Sequence, residues 1–86
     1  MVSELELHLL ESAIRDSRHI DVIMALDRLV VMPVTEQELN QTMNDLSVIR
    51  KFINEKLPTD LRDVGRAVFV EHAKAVEAHY LAGYKK

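Results

Sequence analysis

The sequence predicts an all-α domain of four or five helices, and three observations carry that prediction. Gly and Pro number only 2 each among 86 residues, so few positions interrupt a helix. Leu, Ala, Glu, Lys, Arg and Met dominate the chain, and these residues lose least on entering a helix. Apolar residues recur at three- and four-residue spacing between small clusters of Thr, Pro and Asn.

The first helix is expected over about Glu4 to Asp16. Ser3 and Glu6 have capping-box spacing, in which each side chain satisfies a backbone donor of the other residue. Leu7, Leu10 and Ile14 share one face. The second helix is expected from Arg18 or Ile20 to Val31, with Val22, Ile23, Leu26, Leu29 and Val30 turned inward. Pro33 stops it, because a residue preceding proline is pushed out of helical geometry. Thr35 and Glu38 repeat the capping-box spacing and open a short third helix to Gln41. A fourth runs from Asn44 to Asn54 on Leu46, Ile49 and Ile53, with Phe52 beside them, and Pro58 closes it.

Thr59 is the expected N-cap of a long last helix, Asp60 to Ala82, whose stripe is Leu61, Val64, Val68, Phe69, Val76 and Tyr80. Gly65 inside it costs about 1 kcal/mol relative to Ala, which implies close approach of another helix. Gly83 is the expected stop, and Tyr84, Lys85 and Lys86 the frayed end. Met24, Met32 and Met43 are expected to fill the core.

One domain is expected over residues 1–86, with its core at about 4–82. A chain of this size buries only about 60–65% of its unfolded surface, so the core is thin. No Cys is present, which excludes disulfides and thiol nucleophiles. No apolar run approaches the roughly 18 residues of a membrane span, and Glu4, Glu6 and His8 break the pattern of a secretory signal. No phosphate loop, zinc-protease helix or nucleophile elbow occurs, so no catalytic residue, metal site or cofactor is expected. His72 and His79 lie seven residues apart, near Glu71 and Glu77, but without the Glu-x-x-His spacing of a bundle metal site. They read as amphipathic side chains at the edge of the core.

Net charge is -3, so direct nucleic-acid binding is not expected. Charge is nevertheless uneven. Acids concentrate in residues 1–16, whereas Arg50, Lys51, Lys56, Arg62 and Arg66 surround the connection before the last helix. Phe52, Ile53 and Leu57 lie in or beside that connection. Apolar anchors between basic residues suit an acidic peptide, steered by charge and held in pockets.

The segment Ala25-Leu26-Asp27-Arg28-Leu29-Val30-Val31-Met32-Pro33-Val34-Thr35, followed by Thr42 and Val48-Ile49-Arg50-Lys51-Phe52, resembles a known family. It is similar to the helical domain at the N-terminus of the elongation factor TFIIS. It is more similar to the integrase-binding domain of lens epithelium-derived growth factor and the hepatoma-derived growth factor relatives. The likeness spans roughly residues 5–80. It implies a compact bundle of two helical hairpins plus a short helix, without enzymatic activity. It further implies a nuclear interaction module, part of a longer chromatin- or transcription-associated chain, that binds short disordered acidic-plus-aromatic motifs through its interhelical loops.

In that group an Ile-Asp pair in the first loop and a Phe followed by a small apolar residue in the last form the contact surface. Ile20-Asp21 repeats the pair, and Asp16 is the alternative source of the carboxylate, which would accept partner backbone N–H groups. Phe52 matches the Phe, and Ile53 or Leu57 the following apolar position. Arg18, His19, Arg50, Lys51 and Lys56 complete the expected rim. On this reading Phe52→Ala weakens peptide binding without loss of helix, and the domain is a monomer. The competing expectation is a self-associating bundle with a seam of Val30, Val31, Met32 and Leu57.

Overall fold

The computed structural model describes residues 2–16 and 19–84. Four helices run in the order α1 (Glu4–Asp16), α2 (His19–Leu29), α3 (Glu36–Glu55) and α4 (Thr59–Tyr84). The chain is all-α among the described residues. Helices α1 and α2 form one hairpin and α3 and α4 the other, and α2 and α1 both pack on α4. At 26 residues and 1.5 Å per residue, α4 accounts for the long dimension of the 41 × 22 × 17 Å molecule.

Both expected capping boxes are formed. The Ser3 N–H donates to Glu6 Oε1 at 3.0 Å, and the Glu6 N–H to Ser3 Oγ at 3.2 Å. At the head of α3, the Glu38 N–H donates to Thr35 Oγ1 at 3.1 Å. Glu38 Oε1 in turn accepts the N–H groups of Thr35 and Val34, each at 3.1 Å. These bonds favour the charged carboxylate. The Thr35 N–H first, then that of Val34, holds Glu38 below the ordinary value of 4.5. The Ser3 N–H does the same for Glu6.

The two helices expected over 36–41 and 44–54 are a single 20-residue helix, so no separate short helix lies between the hairpins. Thr42 falls in the expected gap between those two helices, and a threonine hydroxyl can compete with the backbone. Its hydroxyl instead donates to the Val31 carbonyl at 2.7 Å. That bond leaves the helix unbroken and pins the linker 30–35 against α3. At the far end, the Lys56 and Leu57 N–H groups both bond the Phe52 carbonyl, at 2.8 and 2.9 Å, and close α3 before Pro58. Helix α4 then takes in Thr59, and the Leu61 N–H bonds the Pro58 carbonyl at 2.9 Å. Gly83 does not stop α4, which continues to Tyr84, and among the described residues no glycine has positive φ. The expectation of fraying at Lys85 and Lys86 lies outside the described residues.

The core gathers Leu10 and Ile14 of α1, Val22 and Leu26 of α2, Leu46, Ile49, Phe52 and Ile53 of α3, and Val68 and Val76 of α4, with Val30 and Leu57 from the linkers. Gly65 marks the close approach that its position implied. A Cβ there would stand 2.8 Å from Leu57 Cδ2, 3.3 Å from Ile53 Cγ2 and 3.7 Å from Ile14 Cδ1. The two hairpins and the Pro58 turn therefore meet at one small residue. Val64 is exposed, as are Met24 and Met43; of the three expected core methionines, Met32 alone packs against the core. Helical period marks a face, but the neighbour that would cover these three does not reach them.

Replacing Thr35 with Ala should cost about 1 kcal/mol in urea unfolding at pH 7. It should leave the Glu38 carboxyl below 4.5 in a carbon-detected NMR titration, because the Thr35 and Val34 N–H groups that hold it there belong to the backbone. Because Glu38 is lowered in the folded chain, its stabilising contribution is present above 4.5 and is lost as pH falls through the lowered value. Glu38→Gln, which removes that carboxylate, should therefore cost stability at neutral pH and progressively less on acidification.

Candidate functional site

The residues expected to form one contact surface occupy three separate places. Phe52, Ile53 and Leu57 belong to the core, at 6%, 2% and 1% exposure. This corrects the expectation of an apolar corner open to solvent. The cause is the continuity of α3. Helical geometry persists to Glu55, so Phe52 turns toward α1 and Leu57 folds back against Gly65. What remains visible of Phe52 lies in a depression of about 180 Å³ lined by Leu7, His8 and Lys56 and by the carboxylates of Glu4 and Glu11. Two carboxylates make that spot unsuitable for an acidic guest.

The α1–α2 corner is a second place. Asp16, His19, Ile20 and Asp21 are exposed there, with Ile20 at 64%. Asp21 and Ile20 fall in the first turn of α2 rather than in a loop, and Arg18 lies outside the described residues. The His19 ring pairs with Glu71. Glu71 is twelve residues beyond Thr59, about 18 Å along α4. This corner therefore sits beside the middle of α4.

The third place is a groove between α3 and α4 of about 450 Å³, whose lining includes Arg50, Ile53, Arg66, Phe69, Val70 and Lys74. Its floor is apolar: Ile53 is buried, Phe69 partly buried, and Val70 51% exposed. Three cations stand around it and no carboxylate lines it. Arg66 Nε donates to Asn54 Oδ1 at 2.9 Å, which orients the guanidinium along the rim. Among the described residues no ion pair neutralises Arg50, Arg66 or Lys74. Of the expected residues, Arg50 and Ile53 lie here, whereas Lys51 is exposed on α3 and lines neither depression. Phe69, Val70 and Lys74 were not expected, and Arg66 was expected in the basic surface before the last helix but not among the contact residues. Their signal was present in the sequence: Arg66, Val70 and Lys74 are four apart, which places a basic–apolar–basic stripe on one helix face.

His72 is neither amphipathic nor at the edge. It is 1% exposed, and its Nε2 lies 2.8 Å from Asp27 Oδ1. Beside a carboxylate, Nε2 is the ring's donor, while Nδ1 is buried without a partner. Through His72 and the adjacent Glu71, α4 grips α2 at both of its ends. His79 is exposed. Among the described residues no group of three or more His, Asp or Glu side chains could hold a metal ion, and no helix is long and apolar enough to cross a membrane.

The expected self-association seam is also corrected. Val30 and Leu57 are 0% and 1% exposed, because the linker 30–35 folds onto α3 and Leu57 onto Gly65; Met32 is partly buried, and Val31 alone of the four is exposed. Comparison with protein-family models, with curated proteins and with solved structures finds no match for this chain.

Asp27→Ala should destabilise the fold by about 1–3 kcal/mol in urea unfolding at pH 7, because it leaves the buried His72 donor unsatisfied. Glu71→Ala, which breaks a pair whose members are both more than half exposed, should cost less than about 1 kcal/mol. Phe52→Ala should cost about 3–5 kcal/mol as a buried aromatic truncation. It should lower the urea midpoint sharply rather than act as a selective binding variant.

Proposed function

We propose that this domain is a protein-interaction module that captures short acidic segments by an apolar anchor set in the α3–α4 groove. The observation that carries the reading is the pairing of an apolar floor with a rim of Arg50, Arg66 and Lys74 and no acid in the lining. A lone cation on a surface steers little, but three of one sign around a low-dielectric depression concentrate acidic partners there. The apolar anchor then supplies residence, because rim charges act on encounter more than on holding.

The resemblance to the integrase-binding and TFIIS N-terminal domains supports a place among chromatin- and transcription-associated adaptors, in the nucleus and within a longer chain. The two helical hairpins support that arrangement, although α3 is continuous where the group has a short helix. A loop-centred contact on Asp16, Ile20 and Asp21 fits less well, since its apolar counterparts Phe52, Ile53 and Leu57 are in the core. A second reading, self-association, draws on Leu5 and Leu9 of α1, which are 69% and 61% exposed. Exposed leucines on a surface helix suit a second copy as well as any other partner.

An acidic Phe-x-x-Phe peptide titrated into the labelled domain should shift the amides of residues 50, 53, 66, 69, 70 and 74. Arg66→Glu and Lys74→Glu should each weaken binding at least several-fold, with the affinity falling as salt rises. Shifts confined to 16–21 would move the site to the α1–α2 corner. No shift at either place, together with a sedimentation mass that climbs above 9.9 kDa with concentration, would favour self-association instead.

A further inference from the structure

We infer that the segment this domain binds is an amphipathic helix of about four turns, laid along the whole α3–α4 seam with its acidic end over Arg50, Arg66 and Lys74. The inference rests on the reading of the groove given above and extends it from an anchor pocket to a continuous track.

The basic-rimmed groove does not end at Ala73. That residue also lines a second depression of about 320 Å³, made by Leu39, Met43 and Leu46 of α3 and Val76, Tyr80 and Leu81 of α4. Along α3 the lining residues are 39, 43, 46, 50, 53 and 54; the first five are spaced alternately by four and three, which is a single helix stripe. Met43, Leu81 and Val70 keep 56%, 44% and 51% of their surface in solvent, so apolar area is exposed at both ends. Ala73, shared by the two depressions, keeps the saddle between them low.

The secondary structure of the walls decides the shape of the guest. Both walls are helices whose backbone N–H and C=O groups are consumed internally. An extended peptide in such a groove would bury its own backbone polar groups with nothing to pair them. A helix carries its backbone bonds with it and offers only side chains, the mode used by amphipathic helices in apolar grooves. The track from Leu39 to Ile53 spans fifteen residues of α3, about 21 Å from first to last, which matches a guest helix of about fifteen residues. Charge sets its orientation along the track. The three cations crowd one end, whereas the other is lined by Glu77 and otherwise almost wholly by apolar side chains. The acids of the guest therefore belong at the Arg66 end.

The test is selection of 16-residue peptides from a randomised display library on the intact domain, followed by binding and circular dichroism of the enriched sequences. The expected winners carry apolar residues at i, i+3 or i+4, i+7 and i+11, with Asp or Glu in one terminal turn and no internal Pro. They should gain helical ellipticity on binding. Met43→Glu and Leu81→Glu, both surface changes, should weaken them about tenfold, and an internal Pro should do at least as much. A different pattern would overturn the helix while sparing the function. In that pattern, short acidic peptides with one aromatic anchor are enriched, tolerate Pro, and respond to Arg66→Glu but not to Met43→Glu or Leu81→Glu. Enrichment that is unchanged on Arg66→Glu, Met43→Glu and Leu81→Glu domains would overturn both.

Discussion

Unequal helix length is the constraint on which the rest of the structure depends. Helices α3 and α4 have 20 and 26 residues, whereas α1 and α2 have 13 and 11. A short hairpin laid on a long one covers a single face of it. The covered face becomes the core, with Val68, His72 and Val76 of α4 buried under it. The opposite seam between α3 and α4 is covered by no other described helix, and the groove follows from that.

Two contacts set where the hairpins meet. Gly65 lets Leu57, Ile53 and Ile14 come within van der Waals reach of the α4 backbone, which fixes the Pro58 end. Farther along, the buried His72 and its bond to Asp27 fix α2 across the middle of α4. A buried imidazole with one satisfied nitrogen is less stabilising than an apolar residue of equal volume. It is directional, however, and so it selects one crossing of α2 over α4 among those that hydrophobic contact alone would allow. The orphaned Nδ1 is the cost of that selection.

The division of charge follows from the same geometry. Glu4 and Glu11 of α1 face the small depression where Phe52 reaches the surface. Arg50 of α3 and Arg66 and Lys74 of α4 line the uncovered seam instead. An overall charge of -3 therefore conceals a molecule with an acid-lined hollow on the α1 side and a basic groove on the α3–α4 side. Net charge is a poor guide to a partner when helices sort their charged residues by face.

The sequence by itself determined which stretches are helical and where most begin. Ser3 with Glu6 and Thr35 with Glu38 are local devices, satisfied within four residues, and the folded chain uses both. Gly65 was legible as a close approach because a glycine inside a long helix needs a packing reason. The tertiary structure decided the rest. The gap expected between Gln41 and Asn44 closed where the linker brought the Val31 carbonyl to the Thr42 hydroxyl, and Phe52 looked like an anchor until α1 covered it. His72 was expected at the edge of the core, and nothing in the periodicity could say that Asp27, 45 positions away, would meet it. Periodicity is a property of one helix, whereas burial depends on which other helix arrives and how far it extends. The site was legible in part, as Arg50 and Ile53 and as the stripe of Arg66, Val70 and Lys74, and the groove beneath them stays open because no other described helix reaches it.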